Sequence, residues 1–98
     1  MVLKGKSFEE QRKKQRARAK RAALRALRRA RDSAIANGTE LSGWENDFLG
    51  SVEERIETYG RAFGDPAKGM PGASLSNRQS GKLLEIAAKA RAKAIRRF

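Results

Sequence analysis

From Ser7 to Asn37 the chain runs thirty-one positions without a glycine or a proline. Ala, Arg, Lys, Gln and Leu fill most of them, and these residues lose least on entering a helix. At the front, Ser7 is followed three residues later by Glu10, the pattern of a capping box, and Glu9 and Glu10 suit the positive end of the helix dipole. Asn37-Gly38 is the stop. The segment therefore predicts one long helix over residues 7–36.

Two further stretches read the same way. Ser42 with Glu45 opens a second helix, 42–62, closed by Gly60, Gly64 and Pro66. Ser76 with Gln79 opens a third, 76–97. Between them, residues 63–75 hold three glycines and two prolines and predict a loop without a regular element. Strand-like alternation and internal repeats are both missing. The expected fold is all-α, a single helical domain over 1–98: a small three-helix domain with a long basic N-terminal helix, an acidic amphipathic middle helix and a basic C-terminal helix.

At 100° per residue the first helix carries Ala19, Ala22, Ala23, Ala26, Leu27, Ala30 and Ala34 on one arc. Lys14, Arg18, Arg21, Arg25, Arg28 and Arg29 lie on the other. Before Ala19 charge surrounds the helix, so Arg12, Lys13, Lys14, Arg16 and Arg18 are expected to bury no face and to fray in the free protein. The middle helix aligns Trp44, Phe48, Leu49, Val52, Ile56, Tyr59 and Phe63, and it is expected to be the spine against which the other two pack, with Trp44 and Tyr59 in the core. In the third helix Leu83, Ile86, Ala87, Ala90 and Ala94 share an arc, and Arg78, Lys82, Lys89, Lys93 and Arg96 share another. Leu84, Ala88 and Ile95 form a narrower stripe, more than a thin core needs, which suits a homodimer.

Composition removes most chemistry. The 98 residues include no Cys and no His, so thiolate nucleophiles, imidazole bases and the usual zinc ligands are out of reach. Ser7, Ser42 and Ser76 are caps with no base to activate them. Gly64 and Gly69 have P-loop spacing, but Met70 stands where the lysine is required and no strand precedes. Glu53, Glu54 and Glu57 lie on an outer arc and read as a solvated face rather than as metal ligands; pairing with the basic arms, or repelling a polyanion, stays open. The expectation is no enzyme, no cofactor and no metal.

Charge supplies the positive evidence. The formal net charge is +12, and it is segregated. Residues 1–31 hold 13 Lys/Arg against 2 Glu, residues 32–63 hold 2 Arg against 7 acids, and residues 64–98 hold 8 Lys/Arg against 2 acids. Two basic arms around an acidic middle point to a polyanionic partner. Arg outnumbers Lys in the first helix, and its planar fork fits phosphate and guanine edges. The candidate contacts are Lys14, Arg18, Arg21, Arg25, Arg28, Arg29, Arg78, Lys82, Lys89, Lys93 and Arg96, on DNA or RNA with DNA favoured. A membrane partner is disfavoured, because the apolar side of the first helix is nearly all Ala.

Trp44-Glu-x-x-Phe48-Leu49-x-Ser51, followed after a loop by Leu75-Ser76-x-Arg78-Gln79-x-x-Lys82-Leu83, resembles a short helical module of small phage and prophage DNA-associated proteins. The likeness spans residues 41–86, and the loop here is longer and richer in glycine. It implies a phage or mobile-element setting in the cytoplasm, at the nucleoid or in a host cell, and no catalytic residues. A second reading stays open beside the first: an interaction or inhibitor protein that binds a host nucleic-acid machine, such as an RNA-guided defence (CRISPR) complex, through the same basic faces.

Overall fold

A computed structural model describes residues 7–96, with side chains through Arg91 and Ala92. Helix α1 spans Phe8–Ala36, α2 spans Gly43–Tyr59 and α3 spans Asn77–Arg96. All three start where a serine can satisfy the orphan amides of the first turn. Ser7 Oγ accepts from the Glu10 N–H at 3.2 Å and Glu10 Oε1 accepts from the Ser7 N–H at 3.1 Å. The same reciprocal pair recurs at Ser42 and Glu45, 3.1 and 2.8 Å, and at Ser76 and Gln79, 3.1 and 3.0 Å. Gly60, at φ +83°, ends α2 in the left-handed region where a side chain would be strained.

The 63–75 segment is more ordered than its composition implied. Asp65 Oδ1 accepts from the Ala67 N–H at 3.0 Å and starts a single 3-10 turn, Pro66–Lys68. The expectation of no regular element is corrected: a proline with φ already set follows a capping aspartate, which is enough for one turn.

The spine is α1, not α2. Close backbone approach is most extensive between α1 and α3, with α1 and α2 next. Ala23, Ala30 and Ala34, with Leu27 between them, form the buried seam of α1. Methyl side chains let a neighbouring backbone come near, whereas the bulkier α2 stands off on Leu49, Val52 and Ile56. Asn37 Nδ2 donates to the Ala90 carbonyl at 3.0 Å and Thr39 Oγ1 does so at 3.4 Å, so the C-terminal end of α1 meets the later half of α3. Gln79 Nε2 donates to the Ala62 carbonyl at 3.1 Å, setting the start of α3 beside the end of α2. The helices therefore run up, down and up.

Among the described residues, only Leu27, Leu49, Ile56 and Ile86 combine large size with complete burial. Two residues assigned to this core are elsewhere: Trp44 is 57 % exposed and Tyr59 76 %. They sit at the two ends of α2, Trp44 also at the margin of its apolar arc, away from the buried Leu49, Val52 and Ile56. Trp44 instead stacks on Phe48, centroids 5.5 Å apart, beneath Lys82 Nζ at 5.0 Å. On α3, Leu84 and Ala88 are exposed, so that part of the narrower stripe has no cover within the chain; the Ile95 side chain lies outside the described residues.

The molecule extends 59 × 28 × 20 Å, the long axis reflecting α1, whose 29 residues span about 43 Å. Every residue from Phe8 to Arg16 is exposed, in keeping with a segment that buries no face, yet the helix is closed at Phe8 by its capping box.

With so few large buried side chains, each matters. Leu27→Ala is expected to cost about 2–5 kcal/mol in urea denaturation. Trp44→Ala is expected to cost only about 1–2 kcal/mol, the worth of one stacked pair and one cation–π contact; a loss as large as that of Leu27→Ala would show the indole to be core.

Candidate nucleic-acid interface

Position on α1 decides what each cation can do. Lys14, Arg18, Arg21, Arg25 and Arg29 recur at three- and four-residue steps on the side opposite Ala23, Leu27, Ala30 and Ala34. All five are exposed, and none has a carboxylate within ion-pair distance among the described residues. Asp32 lies on the same side and marks the C-terminal limit of the stripe. From Lys14 to Arg29 the stripe rises about 22 Å.

The remaining candidates have partners or stand apart. Arg28 is at the edge of the stripe and turns to α2, with Nε 3.6 Å from Glu53 and Nη2 3.9 Å from Glu57. Arg31 Nη2 is 3.0 Å from Glu53, whose side chain is only 19 % exposed. Of the three acids read as a solvated face, Glu53 and Glu57 thus serve the basic arm, and Glu54 alone is exposed without an ion pair among the described residues. The reason is geometric: α2 runs back along α1, which brings its acidic edge beside the last two turns of Arg.

On α3, Lys82 lies over Trp44 and also reaches Glu85 at 3.1 Å, while Lys89 Nζ is 2.8 Å from Glu45. Both are therefore engaged locally, Lys89 wholly toward α2. Arg78 is exposed and, among the described residues, without a carboxylate. Lys93 and Arg96 fall outside the residues whose side chains are described. The structure thus gathers five of the eleven candidates into one continuous stripe and leaves the α3 set separate from it.

Sequence reasoning missed a second basic region. Arg16 and Lys20 lie on the inner side of α1, across a hollow of about 470 Å³ from Tyr59, Arg61, Phe63 and Met70. A hint was present in the periodicity: both cations occupy the arc that becomes Ala23, Leu27 and Ala30 further along, so something other than a helix core had to face them. Arg61 and Phe63 flank Ala62, which is buried and donates its N–H to the Ser74 carbonyl at 2.8 Å. Ser74 Oγ in turn donates to the Gly60 carbonyl at 2.9 Å. Gly69 completes the placement, since a Cβ there would lie 2.6 Å from Phe63 Cζ.

No protein-family model, curated protein or solved structure matches this chain. Among the described residues no helix is long and apolar enough to cross a membrane.

Electrostatics enter stability at the start of α2. The Lys89 ammonium, and then the Ser42 N–H, hold the Glu45 carboxyl below its ordinary value. A depressed carboxyl pKa gives stability that is present above the unfolded value and is lost as pH falls through the folded one. Glu45→Gln keeps an acceptor for the Ser42 N–H but gives up the charge on Lys89. Thermal melts from neutral pH down to about pH 3 are expected to fall less steeply for this variant than for the parent; parallel curves would show that the pair contributes nothing.

Proposed function

We propose that the chain is a non-enzymatic nucleic-acid-binding protein that holds phosphate backbone, DNA foremost, along the outer face of α1. The observation that carries this reading is the uncompensated stripe Lys14, Arg18, Arg21, Arg25 and Arg29. On α1 the acids of α2 pair with Arg28 and Arg31, and their further pair is with Lys89 of α3, so among the described residues no carboxylate takes up the charge of the stripe. One strand of duplex DNA advances about 3.4 Å per phosphate, so a stripe of about 22 Å runs beside roughly six phosphates. Five cations at three- and four-residue steps match that density without needing the DNA to bend.

Arg supplies bidentate contacts to phosphate oxygens, and each contact releases condensed counterions. Contacts of this kind set orientation and affinity rather than sequence. The exposed Arg78 offers a further cation on α3. The resemblance of residues 41–86 to a phage module implies, on this reading, a phage or mobile-element setting in the cytoplasm.

Gel shifts and anisotropy titrations on duplex DNA test it. With five phosphates neutralised, log K is expected to fall with log salt at a slope of roughly −4.5. Arg21→Glu with Arg25→Glu, both exposed, is expected to leave helicity intact, weaken binding by orders of magnitude and flatten the slope by about 2. A slope near zero, or a host protein retained after nuclease treatment by a chain that binds no bare nucleic acid, would overturn the reading in favour of an interaction protein.

A further inference from the structure

The inner side of α1 carries a second surface with different chemistry. Three hollows adjoin there. The central one, about 470 Å³, shares Tyr59, Arg61 and Phe63 with a neighbour of about 410 Å³ and shares Arg16, Pro71 and Gly72 with another of about 420 Å³. Together they form one trough between the N-terminal half of α1 and the 59–73 segment. Its cations are Arg12, Arg16, Lys20, Arg55 and Arg61. Among the described residues none of these forms an ion pair, and no carboxylate lines any of the three hollows.

Rings alternate with the charges. Phe8, Tyr59 and Phe63 line successive parts of the trough, Tyr59 and Phe8 largely exposed. Arg12 lies 4.8 Å from the Phe8 ring centroid and Arg61 5.8 Å from that of Phe63. An exposed ring, Tyr59, among guanidinium groups that have no carboxylate partner among the described residues offers stacking and charge at once in one concavity.

We propose that this trough seats an unpaired, single-stranded segment of nucleic acid, its bases stacked on Tyr59 and its neighbouring rings and its phosphates held by Arg16, Lys20 and Arg61. Each alternative occupant leaves part of the lining unused. Duplex DNA keeps its bases stacked inside and presents no π-face to Tyr59. An acidic peptide or free phosphate satisfies the cations but not the rings. A bilayer meets convex ridges more readily than a trough. Only an unpaired strand brings flat rings and phosphates in alternation, which is the chemistry of known single-strand grooves in general. About 470 Å³ is within the range of small-ligand pockets and accommodates a base with its sugar. The proposal goes beyond the reading given to the outer stripe and uses none of its residues: at 100° per residue, Arg16 lies about 160° from Arg18 and Lys20 about 100° from Arg21.

The test uses the full chain and labelled dT12, rU12 and a 12-base-pair duplex, titrated by anisotropy at two salt concentrations. Tyr59→Ala, at an exposed position, is expected to weaken dT12 or rU12 roughly ten- to a hundredfold, the worth of one stacked base, and to leave the duplex unchanged. Tyr59→Phe is expected to restore the single-strand affinity. Arg16→Gln with Arg61→Gln is expected to lower it and flatten its salt dependence, which supplies an independent readout if Tyr59→Ala proves unstable in a melt. Arg21→Glu with Arg25→Glu is expected to do the reverse, weakening the duplex far more than the single strands. Duplex bound without either single strand would sink the trough and leave the stripe standing; dT12 or rU12 bound through Tyr59 without the duplex would do the opposite. Equal losses on all three nucleic acids for Tyr59→Ala would overturn the proposal, as would displacement of dT12 by oligoglutamate or by anionic phosphatidylglycerol vesicles at comparable charge concentration.

Discussion

The alanine seam of α1 is the contact on which the rest of the molecule depends. Ala23, Ala30 and Ala34 leave room for two helices to approach one rod, and Leu27 fills the space between them. Burial of one side assigns every charged residue of α1 an address. Cations opposite the seam stay in water as a stripe, those beside it meet the acids of α2, and those in line with it but N-terminal to α2 and α3 face the 59–73 segment instead. A bulkier seam would force the helices apart and dissolve that three-way division.

The acidic middle helix acts as a local neutraliser. Glu53 and Glu57 take up Arg28 and Arg31, the α1 cations that face α2, where like charges gathered on adjoining turns would otherwise repel. Such partly exposed pairs contribute only about 0.2–1 kcal/mol each. Their larger effect is on the shape of the field: positive charge is offset on the side of α1 that faces α2 and kept along its outer side. A basic stripe along one side of a rod in a 59 Å molecule has a direction, which a uniform coat of lysine lacks.

Much of this was legible in the chain itself, for reasons that are local. Ser-x-x-Glu and Ser-x-x-Gln report helix starts because the bonds they make lie within one turn, and Ser7, Ser42 and Ser76 all make them. The buried arc of α1 followed from period alone. What periodicity could not supply was the partner of each arc. Trp44 and Tyr59 share an apolar side with Leu49 and Ile56, but they sit at the two ends of α2 and stay exposed, and only the tertiary arrangement reveals that. The choice of α1 over α2 as spine turns on backbone distance, which favours small residues over large ones. Arg61 gave no sign of its place, because its setting beside Phe63 and Arg16 depends on hydrogen bonds from Ser74 and Gln79.

Those hydrogen bonds carry a consequence for how the chain can change. Gly60 and Ala62 on one side are clasped to Ser74 and Gln79 on the other, so the stretch between them is a closed bight whose two feet are anchored independently of what it contains. Doubling the length of such a bight costs only about 0.6 kcal/mol in closure entropy. Insertions or exchanges beyond Gly64 would therefore reshape the outer wall while the helical frame stood still, giving the molecule a region in which new binding preferences can be tried without risking the fold.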